Sequence, residues 1–389
     1  MRRVFILCCL FIFTFLSIRA QRNWQELFEQ KYTTLCKGDE TVRESYFKTS
    51  QSGDAYDFME LSAILDPLVC MYKSTGKDSY RNDLITIINN VIATAQVSKS
   101  IPGNKYAYKD DYLSWISKNR LEGYNNEHVL YEGYIFRFIT LFLYHLHQEG
   151  WDRLSSANQD WYQQTVSFIE ENVWEKWISR SRRSNNVNSP YTIFLRTRTH
   201  MGSHNAFIAF FLKEITSSPT IKSECTEMYN MYDLLLRRNL KPNPDMPDAY
   251  VWNSTWDDVS GTQAQQGGTT AVQDVAHGNH VLVYITTSRK FGNTNWTDAD
   301  IEKLSNTVRL VIFDPVKFSF KNLVDGTSST GIEDRRGNAQ AEGWIKLSWF
   351  DNEAWDFYVD FSFRGDKAIL VGMDLRYYSN MLYASVLRQ

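Results

Sequence analysis

The segment Gln273 to Ile285, QDVAHGNHVLVYI, places Asp274, His277, Asn279 and His280 within two turns and then becomes apolar. Two of the seven histidines of the chain stand there, three residues apart. The pattern returns in HMGSHNAFIAFFLKEI, where His200, Ser203, His204 and Asn205 precede a buried run. Asn125, Asn126, Glu127 and His128 precede VLYEGYIFRFITLFLYHLH in the same way, and Asn338, Gln340 and Glu342 precede GWIKLSWF. A helix N-terminus needs one capping side chain, so such clusters exceed what capping requires. Imidazoles exchange protons near neutral pH, carboxylates serve as acids and bases, and amides and arginines stabilise developing negative charge. Five of the seven histidines fall in these helix starts, which points to one shared site.

The elements that must position the site alternate in type. Tyr56 to Tyr72, Asn125 to His147, His200 to Ile215, Asp274 to Ser288 and Ala339 to Phe350 read as buried helices, apolar on most sides. Asp78 to Val97, Ala157 to Ile178, Thr220 to Leu240 and Thr297 to Phe313 read as amphipathic helices with one face to water, and Asp366 to Val386 closes the chain. Buried starts recur roughly every 65 to 75 residues, the signature of weakly similar repeats. The expected fold is all-α: an α/α toroid, an incomplete or closed ring of about five to seven helical hairpins. It forms a single domain over 21–389, with an open superhelix as the alternative. Inner helices of such a ring run parallel, so their polar starts meet at one mouth, where helix N-termini favour anions. Two long loops, Lys241 to Gln273 and Asp314 to Arg336, feed that mouth.

Residues 1–20 combine Arg2, Arg3, an apolar run from Val4 to Leu16 and a small-residue cleavage site ending at Ala20. That is the pattern of a secretory signal peptide, so a secreted or periplasmic location is expected. No later run has eighteen uninterrupted apolar residues, so no membrane insertion is expected. Cleavage lowers the basic residues from 42 to 39 against 45 acidic ones, moving the net charge from −3 to −6. A chain so balanced is no partner for nucleic acid. Cys36, Cys70 and Cys225 remain, an odd and widely spaced trio that makes neither a disulfide framework nor a zinc ribbon. Twelve Trp and 22 Tyr suit either sugar stacking or an aromatic core.

Gly278-Asn279-His280 and Ser203-His204-Asn205, with loop tyrosines and arginines, resemble the α/α-toroid polysaccharide lyases of the alginate and glucuronan type, families 5 and 38. The resemblance implies β-elimination on a uronic-acid polysaccharide. His204 and Asn205, with His277 or His280, would neutralise the sugar carboxylate, and Arg336 would assist. Tyr250 would be base and acid, with Tyr124 and Tyr131 competing for the role. Asn126, His128, Asn279 and Asn338 would bind the anionic substrate, and Trp252, Trp256 and Trp344 would be sugar platforms. A consecutive Asn-Asn-His is absent, because Glu127 separates Asn126 from His128.

Three other readings compete. A glycoside hydrolase on the same toroid needs two carboxylates, and Glu127, Asp257, Asp258, Asp274 and Glu342 lie near the expected mouth. Asp257-Asp258 resembles the adjacent aspartates of some toroid mannanases. No cofactor is expected, although His277/His280 and His200/His204 are spaced to chelate one ion from a helix face, with Asp274 or Glu127 added. A non-catalytic carbohydrate-binding protein would also carry an aromatic cleft.

Overall fold

A computed structural model describes residues 22–183, 189–195, 198–256, 272–328, 336–364 and 373–388. The expected leader and the Asp257-Asp258 pair lie outside the described residues.

The principal helices are α1 (Trp24–Tyr32), α2 (Ala55–Thr75), α3 (Asp78–Ala93), α4 (Val129–Gln148), α5 (Ser156–Ile169), α6 (Lys176–Arg182), α7 (Thr199–Ile215), α8 (Pro219–Asn239), α9 (Val275–Lys290), α10 (Asp298–Asn306), α11 (Asn352–Arg364) and α12 (Asp374–Leu387). A 3₁₀ segment, Trp344–Trp349, takes a place among them. Packing runs α2 on α4, α4 on α7, α7 on α9, α9 on the 3₁₀ segment, that segment on α12, and α12 back on α2. Six inner elements therefore close a ring. Outside them α3 packs on α2, α5 on α4, α8 on α7, α10 and α11 on the 3₁₀ segment, and α1 on α12. The first described helix thus covers the last.

The α/α toroid and its single domain are as expected from the helix alternation. The inner helices are buried because their apolar residues occupy every face: α4 buries Val129, Leu130, Ile135, Phe136, Phe138, Ile139, Phe142 and Leu143 among others. Their ends carry ordinary stop signals. Asp54 caps α2 by accepting from the Tyr56 N–H at 2.9 Å, and Gly76 ends it in the left-handed region, φ 65°.

One expected helix is not α-helical. Ala339 to Phe350 forms 3₁₀ turns, Arg336–Asn338 lying just before it and Trp344–Trp349 within it. The cause lies on α9, where Asn279 Oδ1 accepts the N–H groups of Gly343 and Trp344 at 2.6 and 3.2 Å. Gly343 lies so close that a Cβ there would stand 1.9 Å from the Asn279 carbonyl oxygen. Backbone contact with α9 fixes the segment in place of a regular helix. The sixth inner helix, α12, was expected only as a closing helix. Among the described residues, no helix is long and apolar enough to cross a membrane.

Candidate active site

At the ring mouth the starts of α7 and α9 and the segments before them enclose a cleft of about 440 Å³. Arg198, His200, Ser254, Gln273, Asp274, His277 and Arg336 supply its polar wall. Asp274 does two jobs there. One carboxylate oxygen caps α9, accepting from the His277 N–H at 3.0 Å, and the other meets His277 Nδ1 at 2.7 Å. Arg336 Nη1 stands 3.9 Å from that second oxygen. Burial works to raise the proton affinity of Asp274, but His277 and Arg336 outweigh it and hold the carboxyl below its usual range. The His277 ring lies over His200, centroids 4.2 Å apart.

One turn deeper, three consecutive inner helices meet on the axis of the ring. The Tyr134 hydroxyl of α4 and His280 Nε2 of α9 share a hydrogen bond of 3.0 Å across the face of α7. His204 of α7 fills the space between them, 4.0 Å from the Tyr134 ring and 5.1 Å from that of His280. Arg137 of α4 reaches across the ring to pair with Glu342, which also holds Arg376 of α12 at 3.4 Å. His280 Nδ1 stands 3.9 Å from Glu342. Burial first, then nearby cations and imidazoles, push His200, His204 and His280 well below the ordinary histidine value, so all three are neutral at pH 7. Burial likewise raises the Tyr134 phenol. Among the described residues no group of three or more His, Cys, Asp or Glu is arranged to hold a metal ion.

His204, His277, His280 and Arg336 are thus brought to one region. The other expected site residues stand elsewhere or are occupied. Asn205 donates to the Phe194 carbonyl at 3.1 Å beside Gly133, where α4 and α7 approach closely. Asn279 holds the 3₁₀ segment and donates to Glu342 at 3.4 Å. His128 stacks on Tyr131 at 4.6 Å, the Asn126 carbonyl accepts from Ser117, and the Asn338 carbonyl accepts from Gln340. Tyr250 gives its hydroxyl to Asp300 at 2.9 Å, under the cap of the outer helix α10; burial and that carboxylate push its phenol up to about 12. Trp252, Trp256 and Trp344 are core residues at 2, 2 and 0 % exposure, so none offers a face to a sugar. Four residues of the site were not anticipated: Tyr134, Arg137, Arg198 and Arg376. Arg137 carried a signal, being one cation inside the apolar run of α4.

No protein-family model matches this chain, and no curated protein is similar to it. Among solved structures it is similar to an α-1,6-mannanase of Salegentibacter sp. HEL1_6, a glycoside hydrolase of family 76. That structure is of an inactive variant, with two aspartates replaced by alanine, in complex with α-1,6-mannotetrose. The TM-score is 0.52 at 11 % identity, over 94 % of this chain and 100 % of that one. A second inactive variant of the same enzyme, bound to α-1,6-mannotriose, scores 0.48 at 11 % identity with the same coverage. The likeness is one of fold. The solved structure that the chain matches is a hydrolase and not a lyase, so the expectation of a lyase, with β-elimination of alginate or glucuronan, is withdrawn. The polar helix starts that suggested it have other employment here, since Asn205 and Asn279 both bind backbone.

Proposed function

We propose that the protein is a glycoside hydrolase that cleaves a polysaccharide in the cleft at the toroid mouth. Asp274 is the observation that carries this reading. Its carboxyl is kept ionised by His277 and Arg336 on the wall of a cleft of about 440 Å³. Hydrolysis of a glycosidic bond uses two carboxyl groups, one donating a proton to the leaving oxygen and one acting as base or nucleophile. An ionised Asp274 suits the second task.

For the first we propose the Asp257-Asp258 pair. It lies outside the described residues, in the stretch between Trp256 and Val272, and Val272 lines the cleft. The chain has one other adjacent pair, Asp110-Asp111, and both members are held in ion pairs, Asp110 by Arg180 and Arg183 and Asp111 by Lys99. That the related mannanase is inactive when two aspartates are replaced supports the choice.

The test is to incubate the purified protein with neutral α-mannan and with uronate-containing and sulfated polysaccharides, following reducing ends and ultraviolet absorbance. New reducing ends without an unsaturated product are expected. Asp274→Asn and the double variant Asp257→Asn/Asp258→Asn should each lower the rate by about 10²- to 10⁴-fold while melting as the parent does. Unsaturated product, or full activity in Asp274→Asn, would overturn the proposal.

A further inference from the structure

Fourteen buried side-chain nitrogen and oxygen atoms have no hydrogen-bond partner among the described residues, and five of them belong to one cluster on the ring axis. They are Arg137 Nε, Arg376 Nε, both ring nitrogens of His204 and Nδ1 of His280. Native interiors satisfy nearly all such atoms, so a concentration of unpaired ones calls for an occupant. His204 is the strongest case: fully buried, it has neither nitrogen bonded. The cluster is not sealed. Arg376 and His280 keep 18 and 14 % side-chain exposure, and Tyr134 is half-buried, so one face remains open.

The chemistry of that occupant follows from charge and from donor type. Among the paired groups Arg137 and Arg376 bring two positive charges against one negative on Glu342, while the imidazoles are neutral and Glu60 of α2 acts on Tyr134 from outside the pair network, so the paired groups themselves carry one positive charge in excess. The two guanidinium Nε atoms can only donate. A group offering acceptors and a single negative charge fits, whereas a neutral sugar hydroxyl leaves the charge unanswered. We propose that Arg376, His280 and Tyr134, backed by His204, Arg137 and Glu342, form a subsite for one acidic substituent of a sugar, a uronate carboxylate or a sulfate half-ester. This deepens the hydrolase reading and rests on it for the statement that the ligand is a sugar. It assigns the acidic group to the axis of the ring, one turn below the arginines of the rim.

Binding can be read without turnover. The histidine Cε1–H resonances of the full protein, assigned with single-histidine variants, are followed by NMR during titration with glucuronate, glucose 6-sulfate and glucose. The expected result is movement of the His204 and His280 signals with either or both acidic sugars and none with glucose. Whichever acidic sugar moves them identifies the group. Arg376→Met should weaken this binding roughly tenfold or more, and Arg376→Lys should restore part of it. A melting curve for each variant establishes that it is folded, and Tyr134→Phe gives a second, milder lesion of the same face. Shifts confined to His200 and His277 would place the anion at the rim and overturn the proposal, as would equal responses to glucose or no response at all. An inactive protein that shows the expected shifts would sink the hydrolase and spare the subsite. Cleavage of neutral polysaccharide without these shifts would do the reverse.

Discussion

Two buried ionic clusters touch helix α4, and they are built on opposite principles. On the outer side Glu127 and Glu132 face α6. Arg180 binds Glu127 at 2.7 Å and Asp110 at 2.9 Å, while Ser98 and Asn104 complete Glu127 at 2.5 and 2.7 Å. Lys176 donates to Glu132, to the Leu113 carbonyl and to Ser114, and Trp177 Nε1 takes the remaining Glu132 oxygen at 2.6 Å. Every charge there is answered. On the axis, Arg137, Arg376, His204 and His280 leave nitrogens unpaired around Glu342. Burying unpaired polar groups costs stability, and nothing in the helix packing compels it. A saturated cluster holds structure together; an unsaturated one at the same depth marks where a ligand completes the protein. A third cluster, Lys346 with Asp66 and Asn380, lies between α2, the 3₁₀ segment and α12, and it too is saturated.

The largest effect should come from the saturated side. Arg180→Ala leaves Glu127 buried without its cation, and breaking such a pair costs about 3 to 5 kcal/mol. Urea unfolding should show a midpoint lowered to match. A loss below about 1 kcal/mol would mean that water already reaches this cluster, and its contrast with the axis would collapse.

The comparison also shows what was legible beforehand. The toroid was, because burial around the ring writes all-round apolar helices and the outer layer writes amphipathic ones. Asp274, His277 and His280 were legible as a polar cluster at the mouth, because one capping side chain is all that a helix start requires. Tyr134 was not. It sits a turn and a half into α4 among apolar neighbours and reads as core until His280, 146 positions later, is brought to its hydroxyl. Tyr250 misled for the opposite reason: a loop tyrosine before a polar helix start reads as reaching the mouth, but β-pairing of Lys241–Pro242 with Tyr250–Val251 turns it toward Asp300. Of the two readings of the aromatic surplus, the core reading holds for Trp252 and Trp344, which are buried with centroids 6.0 Å apart.

The unsaturated side makes a prediction of opposite sign. His204 has no partner to lose, so His204→Leu, of similar volume, removes two unpaired nitrogens and should raise stability by about 1 kcal/mol near pH 7.5. It should also alter the pH dependence. His200, His204 and His280 have folded values well below the unfolded one, so the native state refuses protons that the unfolded chain accepts. Their contribution is intact above the unfolded histidine value of about 6.5 and is lost as pH falls below it, by about 1.4 kcal/mol per pH unit for each group. Urea titrations at pH 7.5 and pH 5 should therefore show a steep loss in the parent and a shallower one in His204→Leu. Destabilisation by His204→Leu at pH 7.5 would show that the ring is hydrogen-bonded in solution, which removes the premise of an incomplete axis.

The smallest effect is expected outside both clusters. Tyr250 donates one hydrogen bond to Asp300, a carboxylate that Arg237 at 2.7 Å and Thr297 also hold and that keeps its capping role without the phenol. Tyr250→Phe should therefore cost no more than about 1 kcal/mol and leave the hydrolysis rate within twofold of the parent. Tyr134→Phe removes a hydroxyl of the same kind from the axis, and there the rate on an acidic polysaccharide should fall, with little change on a neutral one. Equal behaviour of the two phenylalanine variants would mean that the ring axis contributes to the reaction no more than the outer layer does. The unpaired nitrogens around His204 would then be a packing defect that the fold tolerates.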